Sequence, residues 1–312
     1  MDASNTGREN ERRMDEVYNR ILGEIREQPS NAKKYALRAL CWVGYATRTL
    51  SMEELLIAIS VEPNQYELDD SDKITFEDLL DYCSGLVIAD GQAIRLVHFS
   101  ARNFLDRHQA IPEDANETYR AIVCSTYLSF DALKGYTYTS LGRSFLFLDY
   151  AANNLMFHLS KVERRHYPET TSAVMKLLEG REHRGIYCAW DRKIGLWLDI
   201  PRLNLASAIG YEGAVETLLK EDDVGINAID PLTRLTPLSW AVLMGHDEVA
   251  KRVLGDGRVD WRWDGSVPLF IAICSEKIGI VQSLLEKGVE VNCTNNEVHY
   301  PTSEGPSFIG LD

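Results

Sequence analysis

Few residues of this chain could do chemistry, and their spacing fits none of the common catalytic arrangements. Ser84 precedes Gly85, but the sequence lacks the G-x-S-x-G turn that exposes a hydrolase serine between a strand and a helix. Ser84 instead falls where a predicted helix gives way to a predicted strand, and small residues make the bend at such places. We therefore predict that Ser84 is structural and that the chain is not a serine hydrolase.

The histidines and cysteines do not form a recognisable metal site. The six cysteines are scattered, with no C-x-x-C pair, and no H-E-x-x-H segment occurs. His158 and His166 flank several basic residues, which indicates a helix C-terminus that favours positive charge. The phosphate-cradling loop G-x-x-x-x-G-K-[ST] is also missing. We expect no metal, no cofactor and no enzymatic activity.

Composition, cysteine pattern and charge favour a soluble cytoplasmic protein and disfavour nucleic acid as its partner. The 312 residues carry a net charge of −14, which opposes binding to nucleic-acid phosphates, although a merely solvated acidic surface would give the same charge. No run of 18 apolar residues occurs, so we expect no membrane span. Residues 1–13 lack the apolar core of a secretory signal, and the scattered cysteines suit a reducing compartment.

The N-terminal third predicts a winged helix, in which three helices precede a β-hairpin. Residues 1–13 are expected to be a disordered lead, and an amphipathic helical stripe follows them. Ser51 and Glu54 have the spacing of a capping box at the start of a later helix. Asp90-Gly91 separates two short apolar runs, as in a hairpin. We assign residues 14–108 to this domain.

Four segments of this region resemble the winged helix of fungal NACHT-type proteins, a module often labelled the GPI inositol-deacylase winged helix domain. The segments are Ala39–Val43, Leu50–Leu55, Cys83–Val87 and Leu96–Leu105. In that family the module follows a P-loop NTPase and precedes a helical region and ankyrin repeats. The resemblance implies a nucleotide-switched signalling protein similar to NOD-like receptors.

The chain departs from that family where the nucleotide would bind. Without a phosphate loop, the nucleotide switch does not carry over to this sequence. His98 matches the histidine of the family's L-V-H-[FY] motif, which touches the nucleotide in some relatives; here we expect it to pack on the next helix. The chain thus resembles a fragment or degenerate relative, or the relay arm of an NTPase encoded before Met1.

Residues 109–200 predict a helical bridge. Three apolar faces with helical spacing occur there, and their members are Tyr119, Ile122, Val123 and Tyr127; Phe145, Leu148, Ala152, Leu155, Met156 and Leu159; and Val174, Leu177 and Leu178. The stretch 181–201 shows no clear period, so we interpret it as a linker.

A motif that recurs three times fills the C-terminal region. Leu203, Leu238 and Leu269 each begin a Leu-x-x-Ala frame, and they recur after 35 and then 31 residues. A period near 33 with this start resembles the ankyrin repeat, a turn followed by two antiparallel helices. We place about three such repeats at 201–293, and 294–312 forms a tail or a degenerate repeat. His246 occupies the position at which ankyrin repeats use histidine to bond loop and helix ends.

The turn tips and inner helices of such repeats are the expected binding surface for a protein partner. The predicted contact residues are Asp230, Arg234, Trp240, Asp260, Trp261, Arg262 and Trp263. Trp261, Arg262 and Trp263 are the strongest candidates, since exposed Trp and Arg dominate interface hot spots. The alternative is that one of these two tryptophans packs under the loop; Trp240 is either core or inner-face.

The fold class predicted is mainly α, with a winged helix, a small β-hairpin, a helical bridge and a C-terminal ankyrin solenoid. The predicted function is a non-enzymatic protein–protein interaction scaffold or signalling adaptor. A DNA-binding winged helix is less favoured, because the recognition-helix segment Lys73–Asp81 carries Glu77, Asp78 and Asp81 against one lysine. Neither the partner's identity nor the oligomeric state follows from the sequence.

Overall fold

Over the described residues the architecture is helical apart from one two-stranded sheet, so the predicted mainly α class is confirmed. The computed structural model describes residues 3–63, 65–68, 74–108, 111, 117–133, 145–180, 200–231, 233–260 and 266–289. Buried apolar side chains form one continuous core through these ranges, from Tyr18 in the first helix to Val289 after the last.

Helix α1 spans Ala3–Glu27, so the predicted disorder of residues 1–13 is wrong for Ala3 onward. Nothing between Ala3 and the apolar stripe breaks a helix as proline would, and Arg13 pairs with Glu9 one turn earlier. Extending a helix that packing has already nucleated costs little. The stripe itself buries Tyr18, Leu22 and Ile25, as the sequence predicts.

Helices α2 (Ser30–Tyr45), α3 (Met52–Ser60) and α4 (Phe76–Tyr82) follow, and local side chains set where the last two begin. The predicted capping box is present: the Ser51 hydroxyl accepts from the Glu54 amide, and the Glu54 carboxylate accepts from the Ser51 amide. Thr75 and Asp78 form a second capping box at α4. These reciprocal bonds satisfy amides that would otherwise lack partners in the first turn.

The predicted hairpin consists of β1 (Val87–Asp90) and β2 (Ala93–Leu96), which pair antiparallel with Val87 opposite Leu96. Gly91 supplies the positive φ of 64° that the tight turn requires. Ser84 lies in the bend between α4 and β1, as expected, with a φ of 48°. Helix α5 (Phe99–Arg107) leaves the hairpin directly, and the His98 side chain caps it by accepting from the Ser100 amide.

Three further helices form the bridge: α6 (Glu117–Leu128), α7 (Leu148–Ser160) and α8 (Tyr167–Glu179). Helix α6 packs against both of the others and is buried from Thr118 to Leu128. The core between the bridge and the winged helix is aromatic: Trp42 of α2 meets Phe147 and Tyr150 edge to face, at centroid distances of 5.5 Å. The winged helix therefore rests on the bridge through a packed interface.

Six helices in three antiparallel pairs form the repeats. The pairs are α9 (Arg202–Ile209) with α10 (Glu212–Leu218), α11 (Pro237–Leu243) with α12 (Asp247–Gly255), and α13 (Ser266–Cys274) with α14 (Ile278–Glu286). The first helices of the pairs stack on one another, and so do the second helices. Each first helix ends at a residue with positive φ, namely Gly210, Gly245 and Glu276.

The bridge covers the N-terminal face of this stack, because α8 packs against α9 and α10. Gly213 lets α10 approach closely, since a Cβ there would meet the Thr171 hydroxyl of α8. The rings of Tyr167 and Tyr211 meet at 5.1 Å across the same contact. The repeat array is thus a continuation of the helical bridge.

Candidate protein-binding surface

Asparagine side chains hold the turns between successive repeats in place. Asn204 of α9 is buried and donates from Nδ2 to the carbonyls of Ala228 and Leu235, at 3.0 and 2.9 Å. One turn further along the stack, Asn227 donates to the Arg258 carbonyl and accepts from the Asp260 amide, both at 2.9 Å. These bonds satisfy backbone N–H and C=O groups that have no partner within their own turn. They therefore fix the positions of the turn tips.

Arg258 adds a second tie between the same turns. Its guanidinium donates to the carbonyls of Leu219 and Glu221, at 2.7 and 2.8 Å, and pairs with Asp256. Those carbonyls lie at the C-terminal end of α10, where a cation is favoured by the helix dipole. The result is a rigid edge running across the first two repeats.

Two of the predicted contact residues lie exposed on this edge, and one does not. Arg234 and Asp260 are both exposed at the turn tips. Asp230 is only 2% exposed and accepts from the Thr233 hydroxyl at 2.6 Å, so its carboxylate stabilises its own turn. A buried carboxylate bonded within its turn presents little surface, and the contact of Asp230 with a partner stays a prediction.

The three tryptophans among the predicted contact residues divide into one that the structure describes and two that it does not. Trp240 of α11 is half-buried and packs against the core, and its contact with a partner stays a prediction. Trp261, Arg262 and Trp263 lie outside the described residues. The prediction that these three form the strongest contact therefore stays a prediction.

His246 connects two repeats, in keeping with its predicted structural role. Its Nε2 lies 3.1 Å from the Ala208 carbonyl of α9, and its ring lies against Gly210. Burial lowers the pKa of His246, and the nearby Lys277 acts in the same direction. The neutral imidazole therefore bonds the end of α9 in the first repeat to the start of α12, the second helix of the next repeat.

Ion pairs on the other side of the stack join the bridge to the repeats. Glu212, at the start of α10, accepts from Arg164 of the bridge at 2.7 Å and from Arg252 of α12 at 2.8 Å. Arg252 also pairs with Glu216 at 2.7 Å. This cluster lies at a helix N-terminus, where a carboxylate is favoured.

A buried polar cluster, which the sequence does not reveal, lies between the bridge and the winged helix. We call the set Glu117, Arg120, Tyr150 and His158 the bridge cluster. Nδ1 of His158 lies 2.6 Å from Oε2 of Glu117, and its Nε2 lies 3.0 Å from the Tyr150 hydroxyl. The Tyr150 hydroxyl in turn accepts from the Thr47 amide of the winged helix at 3.1 Å.

Arg120 completes the bridge cluster from the other side. It pairs with Glu117 at 2.7 Å and donates to Sγ and the carbonyl of Cys41 in α2. Burial lowers the pKa of His158, and Arg120 adds to the effect, against the opposing pull of Glu117. A neutral His158 with its proton on Nδ1 satisfies all of these bonds, so the cluster is a structural joint that needs no ligand.

Sequence reasoning placed His158 at a helix C-terminus, and it does lie in the last turn of α7, but its burial was missed. Its partner Glu117 is 41 residues away, and no periodic pattern relates them. The one available signal was the charge of Glu117 and Arg120 in α6, whose other residues are mostly apolar, because unpaired buried charge would be costly there. Among the described residues, no group of three His, Cys, Asp or Glu side chains is arranged to hold a metal ion.

Two family matches agree with this architecture. Residues 24–116 match the family described as "GPI inositol-deacylase, winged helix domain", and residues 203–295 match "Ankyrin repeats (3 copies)". No curated protein and no solved structure matches the chain. The chain therefore contains a winged helix followed by ankyrin repeats, and the segment between the two matches belongs to neither.

The two matches bear on function only in broad terms. Ankyrin repeats are interaction modules, which supports a protein-binding role. The other description names a deacylase, but the part of it that matches this chain is a winged helix domain. The match therefore implies no catalysis by this chain. Among the helices that the structure describes, none has the length and hydropathy needed to cross a bilayer.

Proposed function

We propose that this protein is a non-enzymatic scaffold or signalling adaptor that binds a protein partner through the tips and inner helices of its ankyrin repeats. We further propose a cytoplasmic location and a fragment-like kinship to fungal NLR-type receptors. The division into a winged helix at 14–108, a bridge at 109–200 and repeats at 201–293 belongs to the same proposal.

One observation carries the binding proposal: the repeat turns are fixed to one another while their tips stay exposed. Asn204, Asn227 and Arg258 hold the backbone of successive turns, and Arg234 and Asp260 project from it. A surface that is ordered before binding loses less conformational entropy when a partner docks. Rigid tips of opposite charge suit a protein surface with complementary charges.

The test is capture of partners by the full-length chain from an extract of its source organism. We compare the natural chain with Arg234→Ala/Asp260→Ala and with Trp261→Ala/Trp263→Ala. The control is Glu248→Ala/Lys251→Ala, which removes an exposed ion pair from α12 on the opposite side of the repeats.

We call Arg234→Ala/Asp260→Ala and Trp261→Ala/Trp263→Ala the tip variants. We expect that a protein captured by the natural chain and by the control is not captured by at least one tip variant. Retention of every captured protein by both tip variants would contradict the proposal. Circular dichroism of each variant confirms that the repeats are folded before the comparison is made.

A second candidate function is the relay arm of a nucleotide-switched NTPase encoded upstream. The observation in its favour is the stiff path from repeats to winged helix, through Glu212 and Arg164 at one end of the bridge and the bridge cluster at the other. A relay needs such a path so that binding at the repeats can move the winged helix as a body.

Sequencing of the native transcript toward its 5′ end tests this alternative. An in-frame domain with a G-x-x-x-x-G-K-[ST] loop before Met1 would favour the relay, and nucleotide binding by the longer protein would then be measured. A stop codon in frame upstream of Met1 would eliminate it and leave the adaptor.

A further inference from the structure

Helices α1 and α5 form the walls of an open groove. Its volume is about 720 Å³, and its lining includes Met14 of α1 and Phe99 of α5. Met14 is 38% exposed and Phe99 is 73% exposed, the highest value among the large apolar side chains that the structure describes. One exposed apolar residue is ordinary on a protein surface, but two that line the same groove indicate a binding site.

The two walls are regular helix faces. In α1, Glu11, Met14 and Asp15 share a face because they lie three and four residues apart, and in α5 the same spacing joins Phe99 to Asn103. Helix α5 has 9 residues. At a rise of about 1.5 Å per residue, the groove is about 13 Å long, which accommodates two turns of a further helix.

Hydrogen bonds hold the two walls together. The hydroxyl of buried Tyr18 lies 2.8 Å from the Ser100 hydroxyl, which lies 2.7 Å from Nδ1 of His98. Arg107 of α5 donates to the carboxylate of Asp15 in α1 at 2.8 Å. The groove is therefore formed before a partner arrives, and docking orders few groups.

The charges along the groove are more negative than positive. The carboxylates of Glu11, Asp15 and Asp106 line it, together with one guanidinium, that of Arg107. Arg107 pairs with Asp15, and Arg102 pairs with Asp106 at 3.3 Å, whereas Glu11 makes no ion pair among the described residues. The whole chain carries a net charge of −14, so both the local and the overall charge favour a basic partner.

We propose that this groove binds an amphipathic helix of another protein, with large apolar side chains on one face and Lys or Arg beside them. Such a helix places its apolar face against Met14 and Phe99 and a basic side chain next to Glu11. A small molecule fits less well, since its site would bury most of it, whereas the Phe99 ring is open to solvent. A second copy of this chain is disfavoured because it brings the same net charge of −14.

The groove lies on different helices from the repeats, so it gives the protein a second binding surface. The proposal does not depend on binding at the repeat tips. A chain that holds one partner at the repeats and another at the groove would bring the two together, as an adaptor does.

Anisotropy titrations of the full chain with two labelled model peptides test the proposal. Both peptides carry leucine at helix positions i, i+3, i+4 and i+7, and the flanking positions are lysine in one and glutamate in the other. We expect saturable binding of the lysine peptide, weakened about ten-fold or more by Met14→Ser/Phe99→Ser. The control Leu146→Ser/Phe157→Ser removes an apolar pair that is 45% and 46% exposed elsewhere, and it should leave the affinity unchanged.

A charge reversal separates the groove from a general attraction between a basic peptide and an acidic protein. Glu11→Lys should weaken binding of the lysine peptide several-fold and strengthen binding of the glutamate peptide. Glu248→Lys, at an exposed position on α12, makes the same change in net charge and should have the smaller effect on both. Equal effects of the two substitutions would contradict a site at Glu11.

Three further outcomes would overturn the proposal. One is the lack of saturable binding by the lysine peptide, and another is equal affinity for the natural chain and Met14→Ser/Phe99→Ser. The third is a dimer of the natural chain in sedimentation that becomes a monomer in Met14→Ser/Phe99→Ser, which would assign the groove to a second copy. Circular dichroism confirms that each variant is folded.

Discussion

Nδ1 of His158 lies 2.6 Å from Oε2 of Glu117, although the two residues are 41 positions apart in the sequence. The contact joins α7 to the start of α6, and Tyr150 extends it to the winged helix. Because the imidazole is buried, its protonation state affects the stability of the contact between the bridge and the winged helix.

The stability of the protein should fall as the pH drops below about 6.5, the ordinary histidine value. Burial lowers the pKa of His158 and of His246, so the unfolded chain takes up protons that the folded chain does not. Each such group then lowers the free energy of unfolding by up to about 1.4 kcal/mol per pH unit, until the folded-state pKa is reached. Urea unfolding between pH 8 and pH 5.5 measures this.

The variants His158→Gln and His246→Gln identify the source of this pH dependence. Each should remove part of the fall in stability between pH 6.5 and 5.5, and the double variant should remove most of it. Each also costs about 1–3 kcal/mol at pH 8, because a hydrogen-bonding partner is left unpaired. A double variant with the full fall of the natural protein would show that the buried histidines are not responsible.

Arg120→Met should destabilise the protein by about 2–4 kcal/mol at pH 7.5, as expected when one partner of a largely buried ion pair is removed. Arg120 is 2% exposed, and its guanidinium pairs with Glu117 and donates to Cys41, so its loss leaves a partly buried carboxylate without this partner. The matched control is Arg95→Met, whose partner Asp90 is mostly exposed. An exposed pair contributes at most about 1 kcal/mol, so equal losses in the two variants would contradict the role given to Arg120.

Duplex DNA should not bind the full chain with submicromolar affinity at low salt. The helix that would enter the groove, α4, exposes Glu77, Asp78 and Asp81, and the hydrogen bonds from Thr75 hold the pKa of Asp78 below its ordinary value. Each carboxylate would repel the phosphates rather than release counterions. The variant Glu77→Lys/Asp81→Lys should gain weak, salt-sensitive binding in a retardation assay, and submicromolar retardation of the natural chain would contradict this reading of α4.

The elements that sequence reasoning predicted well are those whose cause is local. The capping box of Ser51 and Glu54, the hairpin around Gly91 and the apolar stripe of α1 all depend on residues within a few positions of one another. Such patterns are visible in one dimension because helix and strand periodicity place the partners at fixed spacing. The winged helix followed from them, whereas the repeats followed from a motif that recurs along the chain at a period near 33 residues.

The features that sequence reasoning missed depend on distant contacts or on exposure. The bridge cluster joins Glu117 to His158, and the burial of Asp230 depends on how its own turn folds against Thr233. Neither contact produces a periodic pattern in the sequence. A polar residue is therefore expected to be exposed until its hydrogen-bonding partners are known. That α8 is the bridge helix that covers the first repeat depends on contacts of the same kind.

The three helix ends at Gly210, Gly245 and Glu276 provide a graded test of the repeat geometry. All three have positive φ, at 76°, 76° and 55°, and only the last is not glycine. A side chain in this conformation costs about 1–2 kcal/mol. Gly245→Ala should therefore destabilise by about 1 kcal/mol, because the space around it is open apart from the Lys277 side chain.

Gly210→Ala should cost more, about 2–4 kcal/mol, since the added methyl would also collide with the His246 ring that bonds Ala208. Glu276→Gly should have the opposite sign and stabilise by about 0.5–1 kcal/mol, because glycine relieves the strained φ at a small entropic cost. Gly279→Ala, at a helical position with open space, is the neutral-to-stabilising control. Chemical denaturation of the four variants gives the order, and a destabilised Glu276→Gly would mean that the third repeat does not end as the first two do.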